Sequence, residues 1–242
     1  MTKEKEFKRS DGRALDETRE IKAKVGIIKR ADGSAMFSFG KSKAIAAVYG
    51  PRVLHPQHLQ NPEKGILRCY YDMTPFSVSE RKRPGPNRRS SEISFVTGKA
   101  LEPVLQIQNY PNTVVDCYIL IVEADASTRC AGINAASLAL ANAGLPMNEL
   151  VAAVSIGKTG DHFVVDLSKD EEDFTVMKDG KEIKAATDIP IAMLSRSEKI
   201  SLIQLDGKIK ASELKEAIAL AKKTCKKIVE IQKKALKEVK NN

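Results

Sequence analysis

Residues 113–144 read TVVDCYILIVEADASTRCAGINAASLALANAG, and this stretch decides the fold. Its first part, 113–123, is the longest β-branched run of the chain and predicts a central β-strand. From Cys130 onward the residues are mostly small, and the run closes at Gly144, a residue typical of the position just after a helix. Because small side chains let a helix lie close to a sheet, we expect this helix to pack tightly against the sheet.

The turn between this strand and this helix is a candidate anion site. The first N–H groups of a helix have no intrahelical partner, and the helix dipole favours negative charge there. A hydroxyl of Ser127 or Thr128 can cap the helix or donate to a phosphate oxygen, and Arg129 adds a guanidinium fork. The local sequence alone also fits an ordinary N-cap followed by a surface arginine.

The rest of the N-terminal half is predicted to be strands around one long loop. The patterns predict strands over 21–28, 35–39, 44–49 and 66–73. Asp32-Gly33 is a favourable hairpin turn between the first two strands. Residues 50–65 hold three prolines and show no periodicity, so they predict a long loop of the kind that usually has a function.

Residues 81–89, RKRPGPNRR, place five cations in nine positions. Pro84 and Pro86 restrict the backbone, so the arginines are predicted to lie on a short rigid loop. A helix is expected to start near Ser91 and to kink or end at Pro103. The planar guanidinium suits phosphate oxygens, which favours a polyanion grip, whereas a solvated charged surface is the alternative.

The second half repeats the strand pattern and ends in a long helix. Strands are predicted over 151–156, 162–167, 189–194 and 199–205, and a helix over about 212–240. The nine lysines of this helix lie mostly off its apolar stripe, and a solvated face is favoured over RNA contact. An acidic cluster at 170–173 and Asp188 stand at strand ends, where carboxylates can protonate a leaving oxygen or hold a divalent cation. A merely solvated acidic turn is the alternative.

Composition limits the class of protein. The chain has 242 residues, 42% of them hydrophobic, and a net charge of +9, which favours one domain over 1–242 and an acidic partner such as nucleic acid. The four cysteines and three histidines lack metal-ligand spacing, so a zinc site is not expected. The absence of a signal-peptide pattern and of an apolar run of about 18 residues predicts a soluble cytoplasmic protein without membrane contact.

Five blocks, taken in order, resemble the RNase PH family. They are RSDGRALDETREIKAKVGIIKRADGSAMFSFG (9–40), YYDMTPFSVSERKRPGPNRRSSEIS (70–94), STRCAGINAASLALANAGLPM (127–147), TDIPIAML (187–194) and LIQLDGKI (202–209). Within the family, the DMTPFS and RKRPGP segments are similar to those of the active ring subunits of the archaeal exosome. The resemblance covers nearly the whole chain.

The resemblance implies both a fold and an activity. The fold would be α/β (α+β) of the RNase PH type, with mixed sheets packed against helices, related to the second domain of ribosomal protein S5. The activity would be phosphate-dependent 3′→5′ degradation of single-stranded RNA to nucleoside diphosphates. Inorganic phosphate would be the co-substrate, and Mg²⁺ is a candidate cofactor. The partners would be single-stranded RNA, a related sister subunit in a hexameric ring, and RNA-binding cap subunits.

The resemblance also implies roles for individual residues. Ser127, Thr128 and Arg129 stand where the family holds phosphate, Arg88 and Arg89 where it grips the RNA backbone, and Arg68 where RNA enters. Asp173 and Asp188 match the family's two catalytic aspartates. The ligands of any metal are left open by the sequence.

The chain departs from the family at three places. Ala126 and Ser127 stand where many members have glycine at one or both positions. The two aspartates usually lie about six residues apart, but here residues 174–186 separate them, so a different register would give the first role to Asp179 or Glu182. Tyr70 replaces a residue that is commonly basic, which exchanges a phosphate contact for a surface on which a base can stack.

Two other functions stay open from the sequence. The acidic-loop insertion is compatible with a non-catalytic RNA-binding or structural ring subunit. A bacterial-type homohexameric enzyme that trims tRNA 3′ ends is the other alternative. Phosphate-dependent release of nucleoside diphosphates distinguishes the first alternative, and a requirement for a partner chain distinguishes the second.

Overall fold

A computed structural model describes residues 9–159, 162–173, 175–178, 181–184 and 186–240 of the chain. The strands are β1 (Ile21–Val25), β2 (Gly33–Phe39), β3 (Ser42–Val53), β4 (Ile66–Met73), β5 (Thr113–Glu123), β6 (Val151–Thr159), β7 (His162–Val165), β8 (Thr175–Lys178), β9 (Lys181–Lys184), β10 (Ala186–Leu194) and β11 (Ile200–Ile203). The helices are α1 (Arg88–Leu101), α2 (Thr128–Asn142), α3 (Lys169–Glu172) and α4 (Ala211–Lys240).

The strands form two main sheets and one small hairpin. The first sheet has the order β1-β2-β3-β5-β4, in which β4 and β5 run parallel and the other neighbours run antiparallel. The second sheet is antiparallel with the order β11-β10-β6-β7. Strands β8 and β9 pair only with each other within the described residues, in the segment that separates the two acidic candidates. This mixed architecture confirms the predicted α/β fold class.

Helix α2 lies between the two sheets and contacts both of them. Its sequence is mostly alanine, glycine, serine and other short residues, and nearly every position is buried. Helix α4 packs on the second sheet and also contacts β1 and α2, and its residues Ala217, Ala221, Cys225 and Ile228 are buried. One contiguous apolar cluster joins residues of both sheets and both helices. The close approach of α2 therefore follows from its small side chains, as the sequence predicted.

The predicted Asp32-Gly33 hairpin turn is wrong. Residues 26–32 connect β1 to β2, and Gly33 is already the first residue of β2. A Cβ at Gly33 would lie 2.3 Å from both the Ala139 carbonyl oxygen and the Ala143 backbone nitrogen. This glycine is needed for the contact between β2 and α2, and the carboxylate of Asp32 accepts a hydrogen bond from the Gly50 N–H at 2.8 Å.

Two other boundaries differ from the prediction. Strand β3 continues to Val53, so the loop is shorter than expected and contains a 3₁₀ turn at Gln57–Leu59. Helix α1 begins at Arg88 instead of near Ser91, because the Asn87 and Ser90 side chains form a reciprocal capping box. Arg88 and Arg89 therefore lie on the first turn of a helix and not on the rigid loop that the prolines predicted.

The described lysines of α4 are exposed, as expected for a solvated face. Along α4, Lys222 and Lys226 pair with Glu198, and Lys223 pairs with Asp16 at 2.9 Å. The cysteines are free thiols, and all except the half-buried Cys69 are buried. Among the described residues, the helices lack the combination of length and apolarity that crossing a bilayer would require.

Gly33→Ala should destabilise the fold by about 1–3 kcal/mol or more, because its methyl group would push β2 away from the α2 backbone. Gly98→Ala is the matched control. A Cβ there would meet only the Cys69 sulfur at 3.9 Å, and alanine in a helix interior gains about 1 kcal/mol over glycine. Urea denaturation of the two variants checks this: equal midpoints for Gly33→Ala and wild type would contradict the packing of α2.

Candidate active site

A cleft of about 690 Å³ opens at the N-terminus of α2, beside β10 and the start of α1. Five basic side chains and three carboxylates line it. The basic ones are Arg81, Lys82, Arg89, Arg129 and Lys169, and the acidic ones are Glu80, Glu172 and Asp188. The cleft therefore combines a cationic lining with a few carboxylates.

The β5–α2 turn places the N-terminus of α2 at this cleft. Ala126 and Ser127 both have left-handed backbone, with φ of 53° and 51°. The first helical hydrogen bond runs from the Ala131 N–H to the Ser127 carbonyl, at 3.1 Å, so the N–H groups before it have no partner within the helix. Left-handed backbone favours glycine, which explains in physical terms why glycine is expected at these two positions.

Of the roles considered for the Ser127 hydroxyl, the structure does not show the N-cap. The Ser127 hydroxyl does not cap the helix but donates to the Leu167 carbonyl at 3.2 Å, which ties the turn to the segment after β7. The Thr128 hydroxyl accepts a hydrogen bond from the Tyr71 hydroxyl at 3.0 Å. Both hydroxyls hold the turn in place and leave the helix terminus open towards the cleft.

Arg129 lies in the cleft wall at the first turn of α2. Its guanidinium donates to the side chain of Gln204 and, at 3.4 Å, to Glu92. Its Nε is buried and lacks a hydrogen-bond partner within the described residues. A buried donor without a partner is costly, so this arginine has hydrogen-bonding capacity that a bound anion can use after a side-chain adjustment.

Asp188 faces Arg129 from β10. Burial raises the pKa of Asp188 above the usual aspartate value, a hydrogen bond from the Ser155 hydroxyl acts in the opposite direction, and the nearby Glu172 carboxylate raises the pKa again. By linkage, this carboxyl group stabilises the fold below the usual aspartate pKa, and the contribution is lost as the pH rises through the raised value. Asp188 is thus a proton-retaining group beside an anion site.

The two arginines assigned to the RNA backbone, Arg88 and Arg89, are both exposed on the first turn of α1, and Arg89 is the one of them that lines the cleft. Lys82 is held at the cleft by a 2.6 Å ion pair with Asp72. Arg89 and Arg129 both lie close enough to Tyr71 to lower its pKa, although burial raises the pKa of that phenol overall. Arg89 and Arg129, which both line the cleft, therefore both lie near Tyr71.

The acidic loop is arranged differently from the expectation. Asp173 is exposed and accepts a 2.9 Å hydrogen bond from Lys169, whereas its neighbour Glu172 lines the cleft. The alternative Asp179 lies outside the described residues, and Glu182 belongs to β9 in the inserted hairpin. The structure thus brings Glu172, not Asp173, close to Asp188.

Arg68 lies in a second cleft, of about 1040 Å³, on the other side of the start of α1. It forms a two-pronged ion pair with Asp116, at 2.8 and 3.1 Å. Beside it the rings of Tyr70 and Tyr118 stack, with centroids 4.9 Å apart and planes 11° apart. The structure does not place Arg68 with the other candidates, but it places this arginine beside the aromatic surface expected at Tyr70.

Several residues in or next to the cleft were missed by the sequence analysis. Tyr71 and Ser155 act only through partners distant in sequence, so no local pattern identifies them. Lys169 directly precedes the acidic cluster, and Glu172 belongs to it. The run of charged residues at 169–173 was therefore a weak indication that both lie at the site. For metals, the described residues contain no cluster of three His, Cys, Asp or Glu side chains that could hold an ion.

Comparisons with known proteins agree on one family. Models of the 3′ exoribonuclease family match residues 17–146 (domain 1) and 149–224 (domain 2). The exosome complex component Rrp41 of Thermococcus kodakarensis is 50% identical over 96% of this chain and 89% of its own length. The protein of the same name from Methanopyrus kandleri is 48% identical over 95% and 92%.

Solved structures give the same fold at low sequence identity. Rice Rrp46 superposes with a TM-score of 0.81 at 22% identity, covering 95% of this chain and all of that one. A chain of the Archaeoglobus fulgidus exosome, solved with RNA bound to the active site, gives a TM-score of 0.77 at 20% identity, covering 92% of each chain. These structures confirm the predicted fold type.

Ser155→Ala should raise the pKa of Asp188 further, because the lost hydrogen bond favours the carboxylate form. The titration of the Asp188 side-chain carbon, followed by ¹³C NMR in both proteins, measures the change. Ser137→Ala, at a buried serine whose hydroxyl accepts from the Val151 N–H, is the control and should leave this titration unchanged. An Asp188 pKa that falls in Ser155→Ala would contradict the assigned environment.

Proposed function

Because this chain belongs to the RNase PH family of 3′ exoribonucleases, we propose that its cleft at the α2 N-terminus performs phosphorolysis of single-stranded RNA. Inorganic phosphate attacks the terminal phosphodiester, the bond to the 3′ oxygen breaks, and a nucleoside diphosphate is released. The observation that carries this proposal is the open helix N-terminus beside Arg129 and the proton-retaining Asp188.

Phosphate is assigned to the β5–α2 turn. A dianionic nucleophile must approach another anion, so the site needs fixed donors that offset their repulsion. The N–H groups of Thr128 and its neighbours, together with the Arg129 guanidinium, supply these donors at the floor of the cleft. The Arg129 guanidinium donates to Gln204 and to the Glu92 carboxylate, and a bound phosphate would compete with both acceptors.

Asp188 is assigned as the general acid. The departing 3′ oxygen of the penultimate ribose needs a proton as the P–O bond breaks. A carboxyl group whose pKa is raised by burial holds that proton to higher pH than an exposed one. Ser155 orients the same carboxyl group through its hydrogen bond.

The role of the second carboxylate is assigned to Glu172 or its neighbour Asp173. Asp173 matches the family position by sequence, but Glu172 is the one that faces the cleft. A magnesium ion commonly uses one or two carboxylates together with substrate phosphate oxygens, and Glu172 would supply the carboxylate here while Asp188 keeps its proton. When bound there, such an ion would neutralise charge that develops on the phosphate oxygens.

The RNA backbone is assigned to the basic side chains at the start of α1. Arg89 lines the cleft beside Arg81 and Lys82, and Arg88 precedes it on the same turn. Arg68 and the stacked pair Tyr70 and Tyr118 would receive the RNA further from its 3′ end, because their cleft adjoins the same helix start. Base stacking and backbone contacts of this kind are tolerant of sequence.

The working form is proposed to be a hexameric ring with a related sister subunit, capped by RNA-binding subunits and acting in the cytoplasm. The support is that relatives identical at about half of their positions, over nearly the whole chain, are named exosome complex components. Those names favour the exosome-type ring over the homohexameric tRNA-trimming alternative.

Arg129→Ala should abolish phosphate-dependent turnover and leave most of the RNA affinity, because Arg129 holds the nucleophile. Arg89→Ala should instead weaken binding of all RNA sequences and lower the salt slope by about 0.7, the value for one lost contact on a single strand. Turnover and fluorescence-anisotropy titrations, performed on the chain assembled with its sister subunit, measure both effects. Unchanged phosphate-dependent turnover of Arg129→Ala would remove the assignment of the phosphate site.

Asp188→Asn should slow the chemical step by at least about a hundredfold, the lower end of general acid–base effects, with little change in RNA binding. Glu172→Gln and Asp173→Asn form a matched pair of neighbouring carboxylates. Single-turnover rates should fall more for Glu172→Gln if the facing carboxylate acts, and more for Asp173→Asn if the family register holds in the assembled ring. Full activity of all three variants would contradict the carboxylate mechanism.

A further inference from the structure

The left-handed β5–α2 turn is bridged to the segment after β7 by one buried arginine. Arg19, which is 8% exposed, lies just before β1 and far from the turn in sequence. Its Nη1 donates to the Asp125 carbonyl at 2.5 Å and lies 3.2 Å from the Asp125 carboxylate. Asp125 directly precedes Ala126, the first left-handed residue of the turn.

The other edge of the same guanidinium holds the segment after β7. Its Nε and Nη2 donate to the two carboxylate oxygens of Asp166, at 2.9 and 2.7 Å, and Nη2 also donates to the Leu167 carbonyl at 3.1 Å. Asp166 is fully buried and is itself left-handed, with φ of 56°. The Leu167 carbonyl is also the acceptor of the Ser127 hydroxyl.

Three non-glycine residues with positive φ thus lie in the two segments that the buried Arg19 side chain bridges. They are Ala126, Ser127 and Asp166. Each such residue is strained, and persists only where its surroundings determine its conformation. The planar guanidinium of Arg19 carries donors at fixed angles and can bind both segments at once. A lysine ammonium lacks this fixed arrangement of donors.

We propose that Arg19 is a positioning residue for inorganic phosphate, which acts by holding the Ala126–Ser127 turn in its left-handed, anion-accepting conformation. This inference rests on the proposed function, because it presumes that phosphate binds at that turn. Arg19 is not one of the residues that line the cleft. It therefore affects phosphate binding through the conformation of the turn. The expected consequence of weakening it is a smaller population of the turn that can accept phosphate.

Arg19→Lys should therefore raise the KM for phosphate by about tenfold, which is the effect of reducing the competent turn to about a tenth of the population. The kcat at saturating phosphate and the Kd for RNA should change by less than about threefold, because phosphate selects the competent turn and the RNA grip lies on α1. The assay uses the chain assembled with its sister subunit.

Rescue distinguishes positioning from general support of the fold. Glycine adopts positive φ without strain, so Ala126→Gly in the Arg19→Lys background should restore the phosphate KM to within about threefold of wild type. Ala124→Gly, two residues earlier and not left-handed, should not restore it. Failure of Ala126→Gly to rescue, or an equal rescue by Ala124→Gly, overturns the proposal.

Arg9→Lys is the matched control at a second buried arginine of the N-terminal segment. Arg9 pairs with Glu171 at 2.7 Å and donates to the Val165 and Asp166 carbonyls at 3.0 and 3.1 Å, so it supports the end of β7 and the segment after it, but its hydrogen bonds within the described residues do not reach residues 125–127. This variant should lose stability without raising the phosphate KM. An equal rise of the KM in both lysine variants would show that loss of packing, not the turn, is responsible.

A second variant covers the case in which Arg19→Lys does not fold. Asp125→Asn weakens the same bridge from the turn side and should raise the phosphate KM in the same direction. If wild type releases no nucleoside diphosphate with phosphate present, the proposed function has failed. If wild type is phosphate-dependent and both Arg19→Lys and Asp125→Asn keep its KM, only the positioning role has failed.

Discussion

The close packing of α2 between the two sheets is the constraint on which the rest of the structure depends. Two sheets can approach one helix from opposite sides only if its side chains are short, and α2 meets this condition along nearly its whole length. The same constraint requires a bare glycine at position 33, where β2 touches the helix backbone. A helix held in this way has a fixed N-terminus, and that terminus opens at the cleft. Packing and function are thus linked by the same element.

The chemistry of the cleft follows from charges placed around this terminus. Unpartnered N–H groups and Arg129 favour an anion, while burial keeps a proton on Asp188 more strongly than water would. A bound anion would raise the pKa of Asp188 further, because two negative charges in one cleft repel each other. The left-handed turn at Ala126 and Ser127 is strained, and the buried ion pair of Arg19 and Asp166 holds it in place. The strained turn lowers the stability of the fold, and its left-handed conformation is the one proposed to accept phosphate.

The sequence predicted the fold class and most strands because their patterns are local. The strand at 113–123, the small-residue helix and the positions of Ser127, Thr128, Arg129 and Asp188 all follow from short-range patterns or from the family resemblance. Other features depend on tertiary contacts. Gly33 looks like a turn residue, but its role is set by a helix more than a hundred residues away. The start of α1 depends on a side-chain cap between Asn87 and Ser90, and the exchange of Asp173 for Glu172 at the cleft depends on how α3 ends before the insertion.

The central claim is that the anion at the α2 N-terminus is the nucleophile of the reaction. Isotope tracing tests it most directly: RNA is incubated with the assembled complex and ¹⁸O-labelled inorganic phosphate, and the mononucleotide product is analysed by mass spectrometry. The account predicts nucleoside diphosphates that carry the label in the β-phosphate. Unlabelled nucleoside monophosphates, formed at the same rate without phosphate, would show that water is the nucleophile and would contradict the account.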